Sequence, residues 1–558
     1  MKVRRSVNIA VATAMTMMMV AACSSSDTPS PGGTTAGGGA AGGQAGGDLR
    51  IYASEPAFLL PSAGDDEPSI LVIRQLYRGL VKYNAETGEA ENDLAESIES
   101  SDQKNWTIKL KDGYTFDNGE KVTADSFIRA WNYAAYSPNA QNNAYFMSRL
   151  AGIDDLTATD PDGEEGPKTA PEPKAKELSG LKKVDDLTFT VELTEPFAAF
   201  PVTLGYSGFF PMAEACIKDE AAAKACNETP IGNGPYKMQG KWEHNVGITL
   251  TRSDTWTGED KGQADTLSYK IFADVDAGYA AYQAGEIDVM YTIPPARYKE
   301  AKAQYGDMLY EAPGDSFTYV GLPLYDDNFK DKRVRQALSL AIDRQPIIDA
   351  VFDGRFTAAT GFVAPTFEGF RPDVCKYCKQ DVEKAKSLLA EAGGWKGDKL
   401  TLWANAGAGH EKWLQAVGDQ IKAALGIDYE IKVNLQFPEY LATADANKFT
   451  GPFRLGWGPD YPVMETYLKP LYGSGGSSNN SEYANPEFDK LITEGDSAAD
   501  IPGAIAKYQA AEDLLGEDIP VIPMWFSKVA ALYSSNVDTF VWNKISDAEY
   551  GKITLKQQ

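Results

Sequence analysis

Histidine is nearly absent from this 558-residue chain, which has only His244 and His410. A hydrolase built on a Ser/His/Asp or Cys/His set, or a His-rich metal site, has little to draw on. Cysteine is scarce, at five. Positive charge is in deficit: 53 Lys and Arg face 79 Asp and Glu, a formal net charge of −26. Such a surface repels nucleic acid and anionic lipid, which argues against both as partners. After the first two dozen residues no apolar run approaches the roughly 20 residues of a membrane helix, so the body is expected to be soluble. Paired carboxylates remain available, yet none stands out from an acidic surface that solvation already explains. An enzyme is the weaker class, and no catalytic residue, metal site or cofactor is expected.

What is present begins at the N-terminus. Lys2, Arg4 and Arg5 precede an Ala- and Met-rich apolar run ending in Val20-Ala21-Ala22-Cys23. A basic start, a short apolar stretch and small residues before a cleavage point mark an export signal over residues 1–22. The cysteine directly after the small residues fits a bacterial lipoprotein signal, in which Cys23 carries acyl chains. The alternative is an ordinary secretory signal with an incidental cysteine. Residues 23–47 follow with Ser, Thr, Pro, Ala and Gly almost throughout, a composition that cannot bury a core. A Gly-rich coil of this length reaches roughly 25–30 Å. The expected location is the outer face of the cytoplasmic membrane, with the body tethered at Cys23. Losing Lys2, Arg4 and Arg5 with the signal makes that body still more acidic.

The other four cysteines form two local pairs. Cys216 and Cys226 would close a loop worth about 3 kcal/mol, and Cys375 and Cys378 a tighter one worth roughly 2 kcal/mol. Outside the membrane disulfides are the default. Cys375-Lys376-Tyr377-Cys378 also reads as half a zinc site or a redox pair. No second such pair lies nearby, however, and this one follows Arg371-Pro372-Asp373 in a turn.

Some 510 residues after the linker are long for one compact unit, so at least two lobes are expected. Trp106-Thr-Ile108-Lys-Leu110 and Leu187-Thr-Phe189-Thr-Val191-Glu-Leu193 alternate at period two and read as half-buried strands. Thr123 caps a helix carrying Phe127, Ala130, Trp131 and Ala134 on one face. The span 154–176 is acidic, Pro-rich and aperiodic, a solvated loop. Asp331 and Asp381 cap further helices; Pro346 starts another, which Gly354 ends. The strands Leu400–Trp403 and Tyr429–Val433 alternate with them. Mixed α/β lobes follow.

Several segments, in order, resemble the solute-binding proteins of bacterial peptide ABC importers (family 5), oligopeptide-binding lipoproteins in particular. They are Trp106 through Phe127, with Ala124-Asp125; Pro230-Ile-Gly-Asn-Gly-Pro235-Tyr236; Gly285-Glu-Ile-Asp288; Arg333-Val-Arg335-Gln-Ala337; Ala341-Ile-Asp343-Arg344; and Tyr483-Ala-Asn485-Pro486-Glu487-Phe488-Asp489. The resemblance implies an α/β, two-lobed periplasmic-binding-protein-like fold (type II, large cluster C type). Lobe I would hold 48–314 plus 524–558, with an extra subdomain at about 80–178, and lobe II 315–523. A monomer that encloses its ligand between the lobes, and is emptied by permease subunits, is implied with it.

Arg454-Leu-Gly-Trp457-Gly-Pro-Asp460-Tyr461-Pro462 is the segment that speaks to ligand. It is similar to the oligopeptide-binding branch, where the aspartate holds a peptide's α-amino group. That implies Asp460 as anchor; the alternative is a surface turn. By the same resemblance Trp457 walls a side-chain pocket, and Arg454 and His410 stand where a peptide carboxylate is met. His410 reads equally as a helix-start residue in water. Phe437 and Trp525 occupy aromatic positions of relatives, with a place in the core as the alternative, and Tyr145 is a looser candidate. Gly458 replaces a cysteine seen in some relatives, so no disulfide forms there. The implied function is capture of an oligopeptide without chemistry. Rival readings keep the fold with an oligosaccharide, opine, nickel or haem complex as cargo, or make the chain a receptor for a signalling peptide.

Overall fold

The computed structural model describes residues 45–158, 170–544 and 547–556. The signal segment, Cys23, most of the linker and much of the 154–176 loop lie outside the described residues. Where that loop begins, Ile153–Leu156 forms one helical turn that the aperiodic sequence does not announce.

Two 13-residue strands, Leu309–Gly321 and Val521–Tyr533, organise the molecule. They pair antiparallel from Leu309 opposite Leu532 to Gly321 opposite Val521. Together they form the centre of an 11-stranded sheet. On one side follow Val289–Met290, Asp48–Ala53, Thr266–Ile271, Gly247–Arg252 and Tyr236–Met238. On the other follow Phe453–Trp457, Leu400–Asn405 and Tyr429–Leu435, while Phe356–Ala358 pairs onto Val521–Tyr533 off this path. Each side has its own core. Leu49, Ile51, Leu267, Tyr269 and Leu532 belong to the first; Phe317, Trp413, Tyr440 and Phe453 belong to the second. Two cores joined through a shared pair of strands make the two-lobed α/β fold.

The central ladder is broken where it matters. The register shifts between Pro313 and Phe317. Proline supplies no N–H to a ladder, and an irregularity of this kind re-aims the side chains next to it. Asp315 and Ser316 turn there into a cavity described below.

A separate four-stranded sheet runs Ala95–Glu99, Asn105–Leu110, Thr188–Glu192, Leu181–Asp185, covered by the helix Ala124–Ala135. It extends past the boundary expected near residue 178, because the strands at 181–192 complete the ladder begun at Asn105. At the other end, Gly46 already donates its N–H to Gln263 O at 2.7 Å, two residues before Asp48.

Local chemistry follows the sequence closely. Thr123 and Ser126 form a reciprocal capping box; Asp331 accepts from the Arg333 N–H and Asp381 from the Lys384 N–H, both at 2.9 Å. The helix Arg344–Phe352 ends one residue earlier than Gly354 suggests, since Asp353 itself takes the left-handed conformation, φ 55°. Aspartate tolerates that region better than most residues. Cys216 bonds Cys226, and Cys375 bonds Cys378.

Candidate ligand site

The strand Phe453–Trp457 lies against Leu309–Gly321, with Trp457 opposite Phe317. It stops at Gly458-Pro459, and Pro462 prevents its resumption, since neither proline can donate to a neighbour. Asp460 is thereby lifted off the sheet into a cavity of about 400 Å³ shared with Glu67, Arg74, Tyr206, Ser316 and Phe367. Its N–H points to Thr466 Oγ1 at 3.4 Å. Among the described residues its carboxylate meets no hydrogen-bond donor and no cation. Burial, reinforced by the charge of Glu465, pushes its pKa up to about 7. A desolvated, unpaired carboxylate is costly unless something cationic joins it.

The opposite wall is the helix Glu67–Leu76. Asp66 caps it, accepting from the Ser69 N–H at 3.1 Å. The glycine-proline turn at 230–235 fixes where this helix ends. Gly234 donates to Leu76 O at 2.8 Å, and a Cβ on Gly232 would sit 2.0 Å from that oxygen. Only glycine allows that approach. Five carboxylates line the cavity, those of Asp65, Glu67, Asp315, Asp460 and Asp547, against the single guanidinium of Arg74. Arg74 is itself paired with Asp547. The cavity therefore favours cations.

A second polar group lies at the start of the same strand. His410 occupies the N-cap position of the helix Glu411–Leu425, where its Nδ1 accepts from Trp413 Nε1 at 3.2 Å. That bond leaves Nε2 as the protonated nitrogen of a neutral ring. Burial and then Arg454 depress the His410 pKa to about 4, and burial likewise lowers that of Arg454. The buried His410 Nε2, Arg454 Nε and Trp457 Nε1 have no partner among the described residues. Buried donors without acceptors are rare enough to require an explanation, and an incoming anion supplies one.

The structure brings His410 next to Arg454, and Tyr145 within electrostatic reach of Asp460 and Glu465. Tyr145, 46 % exposed, lines a neighbouring cavity of about 410 Å³ with Arg149, Glu465 and Tyr461; Tyr461 borders both cavities. Phe437 stands 47 % exposed at the start of the helix Phe437–Asp445 and does not line the Asp460 cavity. Trp525 requires a correction. It is 2 % exposed, locked between Phe352, Phe356 and Trp413, and belongs to the core rather than to an open wall. Sequence patterns did not single out Glu67, Tyr206 or Ser316. The run Asp65-Asp66-Glu67-Pro68 reads locally as a helix start, nothing near Tyr206 marks it, and Ser316 stands out only as part of the expected lobe crossing at Gly314-Asp315-Ser316.

A two-lobed fold that presents an unpaired carboxylate and unpaired donors along one strand and its extension has the features of a protein that captures solutes. Residues 89–479 match the family model for bacterial extracellular solute-binding proteins, family 5, middle region, and the chain belongs to that family of binding proteins, not enzymes. It is 28 % identical over 491 residues to the oligopeptide-binding protein OppA of Bacillus subtilis, covering 85 % of this chain and 86 % of the relative. It is equally 28 % identical over 515 residues to the periplasmic murein peptide-binding protein MppA of Escherichia coli, covering 90 % and 92 %. The unliganded open form of MppA superposes with a TM-score of 0.78 at 25 % identity, over 92 % of this chain and 99 % of that one.

Proposed function

We propose that this protein captures short oligopeptides between its lobes, outside the cytoplasmic membrane, and hands them to the permease of an ABC importer. The carrying observation is Asp460, a carboxylate without a cation in a cavity of like charge. A peptide's α-ammonium supplies that missing partner. Its carboxylate finds the idle donors of His410, Arg454 and Trp457. Arg454 and Asp460 are six residues apart along the strand and its extension. At about 3.3 Å per residue they are separated by no more than roughly 20 Å, which suits a peptide of about six residues or fewer held at both ends. Main-chain groups between the ends can pair with cleft backbone independently of sequence. The names of the relatives, an oligopeptide binder and a murein peptide binder, support the same class. Closure about the two long central strands would enclose the ligand.

The anchor reading predicts a bell-shaped pH profile. Below about pH 7 a proton competes with the ammonium for Asp460, and above about pH 8 the peptide amine loses its own charge. Calorimetry with tri- to hexapeptides should show affinity highest between pH 7 and 8, falling up to about tenfold per unit on the acid side. N-acetylated versions should bind weakly at every pH. A flat profile, or acetylated peptides that bind as well as free ones, removes Asp460 from the anchor role.

Tethering is the second element of the proposal, carried by Cys23 after Ala21-Ala22 and by the Gly-, Ala- and Ser-rich spacer that follows. Cys23→Ala should move the protein from the membrane fraction to the medium or the soluble fraction without altering peptide affinity. Equal partitioning of both forms would argue for a freely secreted protein.

A further inference from the structure

We propose that the cavity around Asp460 selects peptides whose first residue carries a second positive charge (lysine, arginine or a shorter diamino acid), with Glu67 as the carboxylate that receives it. This rests on the reading of Asp460 as the amine anchor and adds the identity of the neighbouring side chain.

One ammonium neutralises one carboxylate. With the α-amine on Asp460, Glu67 still faces the same cavity of about 400 Å³. Among the described residues Glu67 has no ion pair and no side-chain hydrogen bond, and the cavity's only cation, Arg74, is committed to Asp547. Asp65 adds a further negative charge, one oxygen of which accepts from Asn142 Nδ2 at 3.1 Å. A second, independent observation points the same way. Tyr206 is 6 % exposed, stacks on Phe146 and lines the cavity, yet its hydroxyl has no partner among the described residues. It lies within electrostatic reach of Asp460, then of Arg74, which acts in the opposite sense, and of Asp65 and Asp66. The unpaired hydroxyl of a tyrosine so largely buried, set in the wall of a cavity richer in carboxylates than in cations, is an acceptor for an ammonium or guanidinium.

A single metal ion is the competing cation, and the geometry disfavours it. Among the described residues no group of three or more His, Cys, Asp or Glu side chains is close enough to hold one. Carboxylates on separate walls suit a ligand with two separated positive groups. The space is sufficient, since a water-sized group takes only about 30 Å³.

The test compares lysine-first, norleucine-first and glutamate-first peptides, otherwise all alanine and three to six residues long, by calorimetry on the full-length protein and on Glu67→Gln. Norleucine keeps the lysine stem and removes the charge. The wild type should bind the lysine-first series roughly tenfold more tightly than the norleucine-first series, with glutamate-first weakest. Glu67→Gln should bring the ratio of lysine-first to norleucine-first affinity close to one. In 0.5 M salt the wild-type preference should shrink, a readout that stands even if the variant folds poorly. Equal affinity of lysine- and norleucine-first peptides, or a preference that survives Glu67→Gln, overturns the inference while the peptide reading stands. Failure of every free peptide to bind overturns both.

Discussion

Asp460→Asn should abolish most peptide affinity and, at the same time, make the empty protein more stable. The first effect is expected at about 2–5 kcal/mol, the range for removing one member of a buried, hydrogen-bonded charge pair. The second follows from linkage. The Asp460 carboxyl, pushed up by burial, ionises in the fold at about 7, against about 3.9 for an ordinary aspartate. Below the lower value both folded and unfolded chains hold the proton, so its placement has no consequence. Between the two values the unfolded chain releases the proton and the folded chain retains it, so the fold loses stability progressively as pH rises. Above about 7 both are ionised and the loss is constant. Asparagine removes that loss. Thermal unfolding of the ligand-free variant should therefore match the wild type near pH 4 and exceed it at pH 8, with the gap opening between. Saturating peptide should restore the wild type's stability and leave the variant unmoved. A variant that binds normally, or gains no stability at pH 8, would show that Asp460 is paired in solution by some other group. Instability accepted in the empty state and relieved by the ligand is the pattern expected of a binding site.

Legibility in the sequence follows the range of the interaction. Helix caps at Thr123, Asp331 and Asp381 are local, encoded within three or four residues, and the structure uses each of them. Strands such as Asn105–Leu110 announce themselves by alternation, which needs no knowledge of the partner strand. The ligand segment at 454–462 was legible because strand, proline stop and carboxylate are contiguous. What escaped is whatever needs two distant segments at once. The subdomain runs past residue 178 because Thr188–Glu192 pairs back onto Asn105–Leu110 across some eighty residues and Leu181–Asp185 adds to it in turn. Glu67 and Tyr206 reach Asp460 from positions far upstream, each in a locally unremarkable setting. Trp525 shows the converse error. An aromatic residue in a strand that borders a cleft can face either way, and its packing against Trp413 and Phe352 decides the matter only in three dimensions.

Arg149 makes a further interaction of this hidden kind, and its removal should be strongly destabilising. It closes the turn Asn142–Arg149 and reaches 316 residues along the chain to place Nη2 2.6 Å from Glu465 Oε1, with Nη1 3.5 Å from Asp496 Oδ2. Glu465 and Asp496 are only 2 % and 5 % exposed. Burial opposes the guanidinium's charge, but Glu465, then Tyr461 and Asp496, outweigh it and hold its pKa above the ordinary value. Phe197 covers its face at 3.9 Å. Tyr461 donates to Glu465 Oε2 at 2.6 Å, Tyr508 to Asp496 Oδ1 at 2.8 Å, and Lys469 Nζ approaches Asp496 Oδ2 at 2.7 Å. Arg149→Met keeps the packing on Phe197 and strands Glu465, which has no other ion pair among the described residues; Asp496 retains Lys469. Breaking a buried pair from one side costs about 3–5 kcal/mol, and the surviving Lys469 places the expected loss near the lower end, roughly 3 kcal/mol. Urea unfolding reads it directly. Adding Glu465→Gln should recover a substantial part, because the uncompensated charge disappears with its partner. The same pair of variants reaches the ligand site. Tyr461 follows Asp460 in sequence and is held by Glu465, so Arg149→Met should also weaken peptide binding, and the double variant should restore stability more fully than affinity. If Arg149→Met unfolds at the wild-type urea concentration, the network is screened by water and holds neither the lobes nor the anchor loop.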